Sequence, residues 1–263
     1  MNMNKYLDIA LNLVFPPVCV SCKEALPFDS HEALCKVCRR RYESEKNFIC
    51  PECSFVHRDC TCMPPKVSRH AAESIHLAEY LKEDSVVRDM VLFAKNERNA
   101  YLYRFLSSEL ATLLSSRIDL DGVLVTFVPR SAQKEAKFGV DQAKEAARRM
   151  AKILGCEFYP LFYHQKSKEQ KHLSVFERAA NAKNTYGILH KNSHLIRGRR
   201  VVLYDDVMTS GATASVCASL LKRAGASEVI VLTFAKTYPK QKPKSASLPH
   251  QKQIYKVKKS WFW

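Results

Sequence analysis

Between positions 200 and 236 the chain reads RVVLYDDVMTSGATASVCASLLKRAGASEVIVLTFAK. The apolar run 200–204 meets two adjacent carboxylates, Asp205 and Asp206, and then a turn of small and hydroxylated residues. Residues 212–224 carry a helical pattern that stops at Gly225, and 227–236 form a second apolar run. Strand, helix and strand in that order predict a β-α-β unit, whose two strands lie parallel because the helix carries the chain back across the sheet. The fold class is therefore α/β, a mainly parallel sheet flanked by helices. In such sheets ligands gather at the carboxyl ends of the strands, where Asp205 and Asp206 stand.

Two neighbouring carboxylates repel each other unless a cation or a set of hydroxyl donors stabilises both. The 2′- and 3′-hydroxyls of a ribose match that spacing, and Mg²⁺ suits the same oxygens. The turn Thr209, Ser210, Gly211, Ala212 and Thr213 opens a helix whose first N–H groups lack partners, so a phosphate can approach closely. Gly211 permits the approach, and Thr209, Ser210 and Thr213 add hydroxyl donors. Acids for sugar and turn for phosphate describe a ribose 5-phosphate pocket. A plain helix cap needs neither the second acid nor five small residues. No glycine-lysine pair is present, which excludes a Walker-type loop.

The rest of the chain supplies the remaining layers. SIHLAEYL (74–81) reads as a strand, and 85–95 and 100–116 as helices by apolar spacing. VLVTFV (123–128), ending at Pro129, suits a buried parallel strand. Residues 141–154 are a helix ended by Gly155, and CEFYPLF (156–162) is the next strand.

Eight of the ten cysteines fall between positions 19 and 62. Cys19-x2-Cys22 and Cys35-x2-Cys38, twelve residues apart, can present four thiolates to one structural zinc ion. Cys50-x2-Cys53 with Cys60-x-Cys62 supplies a second set. The single-residue gap in its last pair is tight and leaves His57 as an alternative ligand. Cys156 and Cys217 stand alone and read as small core residues. The division is residues 1–66 as a cysteine-rich zinc-binding module, 67–238 as the α/β domain and 239–263 as a basic tail. The tail holds seven lysines, three prolines and no acid, and it ends Trp261-Phe262-Trp263.

Net charge is +16, from 42 Lys and Arg against 26 Asp and Glu. That excess points to a polyanionic partner. Arg39-Arg40-Arg41, Arg197 to Arg200 and the tail are candidate contacts to a phosphate backbone, with the terminal aromatics available to stack on bases. No segment reaches the roughly 18–20 uninterrupted apolar residues of a membrane span. The N-terminal MNMNKYLDIALNLVFPP reads as a short amphipathic helix and not as a signal peptide. The expected location is the cytoplasm, where clustered cysteines bind metal.

VVLYDDVMTSGAT is similar to the phosphoribosyl diphosphate (PRPP) signature of type I phosphoribosyltransferases. The cysteine pairs, the lysine of VLFAKNERNAYL, VPRSAQKEAKFGVDQAKEAAR and QKHLSVFERAANAKNTYGIL narrow the resemblance to the ComF/GntX family over residues 13–237. The resemblance implies a type I phosphoribosyltransferase fold behind a zinc ribbon, acting with single-stranded DNA in natural transformation. It assigns the ribose hydroxyls to Asp205 and Asp206, and the 5-phosphate to Thr209, Ser210, Gly211, Ala212 and Thr213. Pyrophosphate falls to Pro129, Arg130 and Ser131, with Arg130 and the two acids in the catalytic role. Lys95, Gln170, Arg178 and Asn181 match positions near the site. The family's Arg-Gly-Phe-Asn/Asp-Gln stretch has lost its arginine at Phe138-Gly139-Val140-Asp141-Gln142, and Lys134 and Lys137 stand near enough to supply the cation. The acceptor of a phosphoribosyl group has no signature. Competing readings are a nucleic-acid-binding factor that holds PRPP only as a ligand, and an adaptor docking a DNA-uptake channel or a helicase.

Overall fold

The computed structural model of the chain describes residues 16–81, 83–97, 99–130, 141–164 and 185–238. Five strands form the central sheet: β1 (Glu73–Glu79), β2 (Leu124–Phe127), β3 (Glu157–Phe158), β6 (Arg200–Met208) and β7 (Glu228–Lys236). Their order is β1-β7-β6-β2-β3, and every pairing is parallel. Two further strands, β4 (Phe162–His164) and β5 (Tyr186–Ile188), pair antiparallel apart from it. The helices are α1 (Lys36–Lys46), α2 (Val86–Asn96), α3 (Ala100–Arg117), α4 (Gln142–Leu154) and α5 (Ala212–Arg223).

The pleat sorts the apolar residues into two layers. Val202, Tyr204, Ile230 and Leu232 face a core shared with α2, α3 and α4. Val201, Leu203, Val229 and Val231 face Ala214, Cys217 and Leu221 of α5. Burial on both faces is why these strands read as unbroken apolar runs. The helix boundaries follow side-chain chemistry. Ser85 and Asn99 accept N–H groups at the starts of α2 and α3, and Gly155 ends α4 with a φ of 68°.

The expected strand over 156–162 divides. Pro160 cannot donate to a ladder, so β3 stops after two residues and Phe162 begins β4 in the other sheet. The predicted N-terminal helix lies, up to residue 15, outside the described residues, as does the tail.

The cysteine-rich segment is pressed against the α/β layers on both sides of the sheet. On one side Cys19, Val20, Leu34 and Tyr42 belong to the same buried cluster as α2 and α3, so the core crosses the compositional boundary at residue 66. Tyr42 is fully buried and donates to Glu109 Oε2 at 2.9 Å. Glu45 at the end of α1 accepts from Ser85 Oγ, Val86 N and Val87 N at 2.9–3.0 Å, an external cap on α2. The α2 dipole favours that carboxylate. Replacing Glu45 with Ala strands these donors, so chemical denaturation of the variant should show a loss of about 1–3 kcal/mol.

Candidate functional site

Chain direction locates the site. After β2 the chain leaves through α4 on one face of the sheet, and after β6 it leaves through α5 on the other. The adjacent strands β2 and β6 therefore diverge at their carboxyl ends, a topological switch point that opens a crevice in doubly wound sheets. A cavity of about 520 Å³ occupies it, walled by Val128–Arg130 after β2, Asp205–Val207 of β6, Lys95 and Asn96 of α2, Gln142 of α4, Thr213 of α5 and the hairpin residues His164 and Tyr186.

The two acids line one cavity and their carboxyls interact, but their surroundings differ. Strand β6 runs through them to Met208, so the pleat turns Asp205 and Asp206 to opposite faces. Asp206 meets the helices: Lys95 Nζ lies 3.3 Å from Oδ2, Gln142 Nε2 donates to the same oxygen at 2.8 Å, and Val207 N donates to Oδ1 at 2.7 Å. Burial opposes its ionisation, but Lys95, Gln142 and that N–H outweigh burial and hold the carboxyl below its ordinary value. Asp205 accepts from the Asp206 N–H at 2.9 Å. Burial first, and then the charge of Asp206, push its carboxyl well above the ordinary range. The protein thus favours the anion at Asp206 and the protonated form at Asp205.

Arg130 is set by Asp141, which is 5% exposed. Asp141 Oδ2 accepts the Arg130 N–H at 2.9 Å, while Oδ1 caps α4 through Ala143 N and Lys144 N. The guanidinium donates to Lys95 O at 3.2 Å. Asp141 thereby ties together the two ends of the segment 131–140. Ser131, Lys134 and Lys137 lie in that segment, outside the described residues, as do Gln170, Arg178 and Asn181.

The turn Thr209–Thr213 borders a smaller hollow of about 50 Å³ that also reaches Asp205. Gly211 takes a φ of 68° at the start of α5, and no side chain caps that helix. Its first N–H groups thus have no side-chain acceptor, as an anion site requires. Packing also requires a glycine at 211. A Cβ there would lie 2.5 Å from Val67 Cγ2 and 3.3 Å from Pro64, so the missing side chain makes room for the protein's own chain.

Gln142, Asp141, His164 and Tyr186 were not among the predicted site residues. The first two fall inside the 138–142 stretch already singled out. The rings of His164 and Tyr186, 5.0 Å apart and edge-on, come from a hairpin with no periodic signal.

Both cysteine sets assemble. Within each, the four Sγ atoms lie within 4.8 Å of one another, close to the roughly 3.8 Å edge of a tetrahedral zinc–thiolate site. Cys60 and Cys62 take part despite their short spacing. Burial works against Cys19 and Cys50, but hydrogen-bond donors from neighbouring groups bring each down to about 7. Burial and crowding thiols push Cys38 up to about 12 and Cys60 up to about 11. Four such thiols ionise together only around a cation, which is the chemistry of a structural zinc ligand set.

The arginine clusters are largely occupied. Arg39 pairs with Glu43, Arg41 with Asp84, Arg199 with Glu157 and Arg200 with Glu228. Arg40 and Arg197 remain exposed without an ion pair among the described residues.

A model of the phosphoribosyl transferase domain matches residues 137–263. The DNA utilization protein YhgH of Salmonella typhimurium is 28% identical over 236 residues, covering 86% of this chain and 99% of that protein. Its counterpart in Escherichia coli K12 is 26% identical over the same span. The chain is thus similar to the phosphoribosyl transferase domain over its C-terminal part and to the DNA utilization proteins over most of its length. Among solved structures, the glutamine PRPP amidotransferase of B. subtilis overlaps it with a TM-score of 0.41 at 20% identity, over 56% of this chain and 30% of that one.

The raised carboxyl of Asp205 has a consequence for stability. The folded state holds a proton on Asp205 more readily than the unfolded chain does, so its contribution is complete below the unfolded value of about 3.9 and is lost as pH rises. Asp205→Asn should raise the melting temperature of the ligand-free protein at pH 7, by about 2–4 °C per kcal/mol, and the gain should vanish as pH falls toward about 4.

Proposed function

We propose that the chain binds PRPP with Mg²⁺ in the cavity between β2 and β6, and acts as a phosphoribosyltransferase-like protein with single-stranded DNA in the use of imported DNA. The observation that carries this reading is the joint presence, at one switch point, of Asp205, Asp206 and an uncapped helix start reached by the same opening. The domain match and the DNA utilization proteins among the relatives support it.

The ribose hydroxyls donate to Asp205 and Asp206, and the 5-phosphate accepts N–H groups of the turn 209–213. The diphosphate lies toward Pro129 and Arg130. The carboxylate oxygens fit a hard divalent cation, and Asp205 is the acid with the fewer protein donors. Mg²⁺ bound there would neutralise charge on the departing pyrophosphate. Breaking the bond from C1 of the ribose to pyrophosphate leaves positive charge on the ring, as in glycoside cleavage. Lys95 and Arg130 stabilise the leaving group by position, and the β4–β5 hairpin shields the ring from water. The two cysteine sets hold zinc as closed, architectural sites. No helix among the described residues is long and apolar enough to cross a membrane.

With the arginine clusters paired inside the protein, the DNA contacts fall to Arg40, Arg197 and the lysine-rich tail. Titration calorimetry with PRPP and Mg²⁺ should show saturable binding, weakened about 10- to 100-fold in Asp206→Ala by loss of a charged hydrogen-bond acceptor. Absence of binding at millimolar PRPP overturns the reading. Pyrophosphate release with some acceptor identifies an enzyme, and binding without release identifies a PRPP-holding DNA factor. Native mass spectrometry should find two zinc ions per chain. Salt titration of single-stranded DNA binding should give a steep slope that flattens when residues 239–263 are removed.

A further inference from the structure

The second four-cysteine set stands at the end of the sheet that carries the phosphate turn. Cys62 is followed at once by Met63, Pro64, Pro65, Lys66 and Val67, a strap that passes beneath Gly211. Val67 is fully buried, in the same cluster as Met208 and Ala214, the residues on either side of the turn. Val67 Cγ2 and Pro64 occupy the space where a Gly211 side chain would stand. Ser215, in the first turn of α5, donates from Oγ to Lys66 O at 2.6 Å. The set itself is anchored to the sheet. Lys236 at the end of β7 is 3% exposed and donates to Cys62 O at 3.0 Å, with Glu52 at 3.3 Å. Tyr238 lies within 3.0 Å of His76 Nε2 and 4.0 Å of Cys60 Sγ.

The first set braces a different wall. Ser21 donates to Asp89 of α2 at 2.7 Å, and Lys23 lies over the Phe93 ring, so that module steadies the helix bearing Lys95.

We propose that the second cysteine set is the positioning module of the phosphate turn. Through the strap Pro64–Val67, metal held by Cys50, Cys53, Cys60 and Cys62 fixes Gly211 and the start of α5 and so sets affinity for the 5-phosphate. The proposal rests on the PRPP reading of the pocket. The strap grips the turn through van der Waals contact and one hydroxyl, and neither uses a turn N–H group. Releasing the strap leaves the donors present but no longer converged. That converts a preorganised anion site into one that must be ordered on binding. The residues concerned act through the turn and touch no ligand.

The test is hydrogen exchange on the full zinc-loaded chain. Cys62→Ser should lose one zinc ion and speed exchange of amides 209–215 by about tenfold or more, while amides 201–204 in β6 keep their protection. Val67→Ala and Ser215→Ala, which leave all eight cysteines in place, should speed the same amides and weaken PRPP while leaving affinity for Mg²⁺ with pyrophosphate unchanged. Ser21→Ala, on the first module, should leave amides 209–215 at the wild-type rate. If Cys62→Ser unfolds the chain, the other two variants decide, and wild-type exchange in both overturns the proposal. So does a zinc-depleted second set with the turn still fully protected. Failure of the wild-type chain to bind PRPP removes the pocket reading, yet the exchange rates still report whether strap and turn are coupled.

Discussion

The contact between Lys95, Gln142 and Asp206 organises the pocket. A carboxylate at the end of a buried strand, beside apolar helices, carries a desolvation cost that only close donors offset. Here a helix from each side of β2 in sequence supplies one donor, α2 giving Lys95 and α4 giving Gln142. Placing those donors requires that both helices start correctly, and each start is fixed by another carboxylate, Glu45 for α2 and Asp141 for α4. Asp141 also anchors the backbone of Arg130. A hierarchy of three buried or half-buried acids thus ends at one cavity wall. Asp205 makes neither of those side-chain contacts, and burial together with the charge of Asp206 raises its proton affinity.

How much of this was legible in the sequence depends on how local the cause is. The β-α-β unit, the capped helices and the buried strands were readable because periodicity and terminal residues act within a few positions. The position of the acid pair at a strand end was readable, but the difference between its two members follows from β6 continuing to Met208, which apolar patterning does not mark. Pro160 did mark the break between β3 and β4, and its meaning was overridden by the apolar residues around it. The grouping of the cysteines into two sets of four able to hold a metal was legible from spacing alone. Their placement was not, because Val67 against Gly211 and Tyr42 against Glu109 are contacts between distant positions. Patterning says which face a residue turns inward, and it does not say what it will meet there.

Charge shows the same limit. A net charge of +16 suggests a surface built for a polyanion, yet Arg39, Arg41, Arg199 and Arg200 pair with acids of the chain. Such exposed pairs contribute little to stability individually. Their effect is to remove arginines from the pool that can meet a phosphate backbone. Composition counts every cation equally, whereas partnership in three dimensions decides which remain available.

The turn 209–213, proposed to hold the phosphate, presents a different physical problem, since an anion site must be rigid and unsatisfied at once. Helix starts are ordinarily fixed by a side chain that accepts the first N–H groups, and such a cap would consume the donors that a phosphate needs. In this chain α5 has no side-chain cap, and its first residue follows a glycine in the left-handed region. Order is supplied from behind instead, by Val67 and Pro64 filling the glycine's vacant side and by Ser215 reaching the carbonyl of Lys66. None of these contacts touches an N–H group of the turn. A cysteine-ligated metal is well suited to the far end of that strap, because a closed tetrahedral site holds its backbone without needing a core of its own. On the proposed reading, the crowded thiols, the positive-φ glycine and the missing helix cap serve one requirement, that the donors stay fixed in place while remaining open to a ligand.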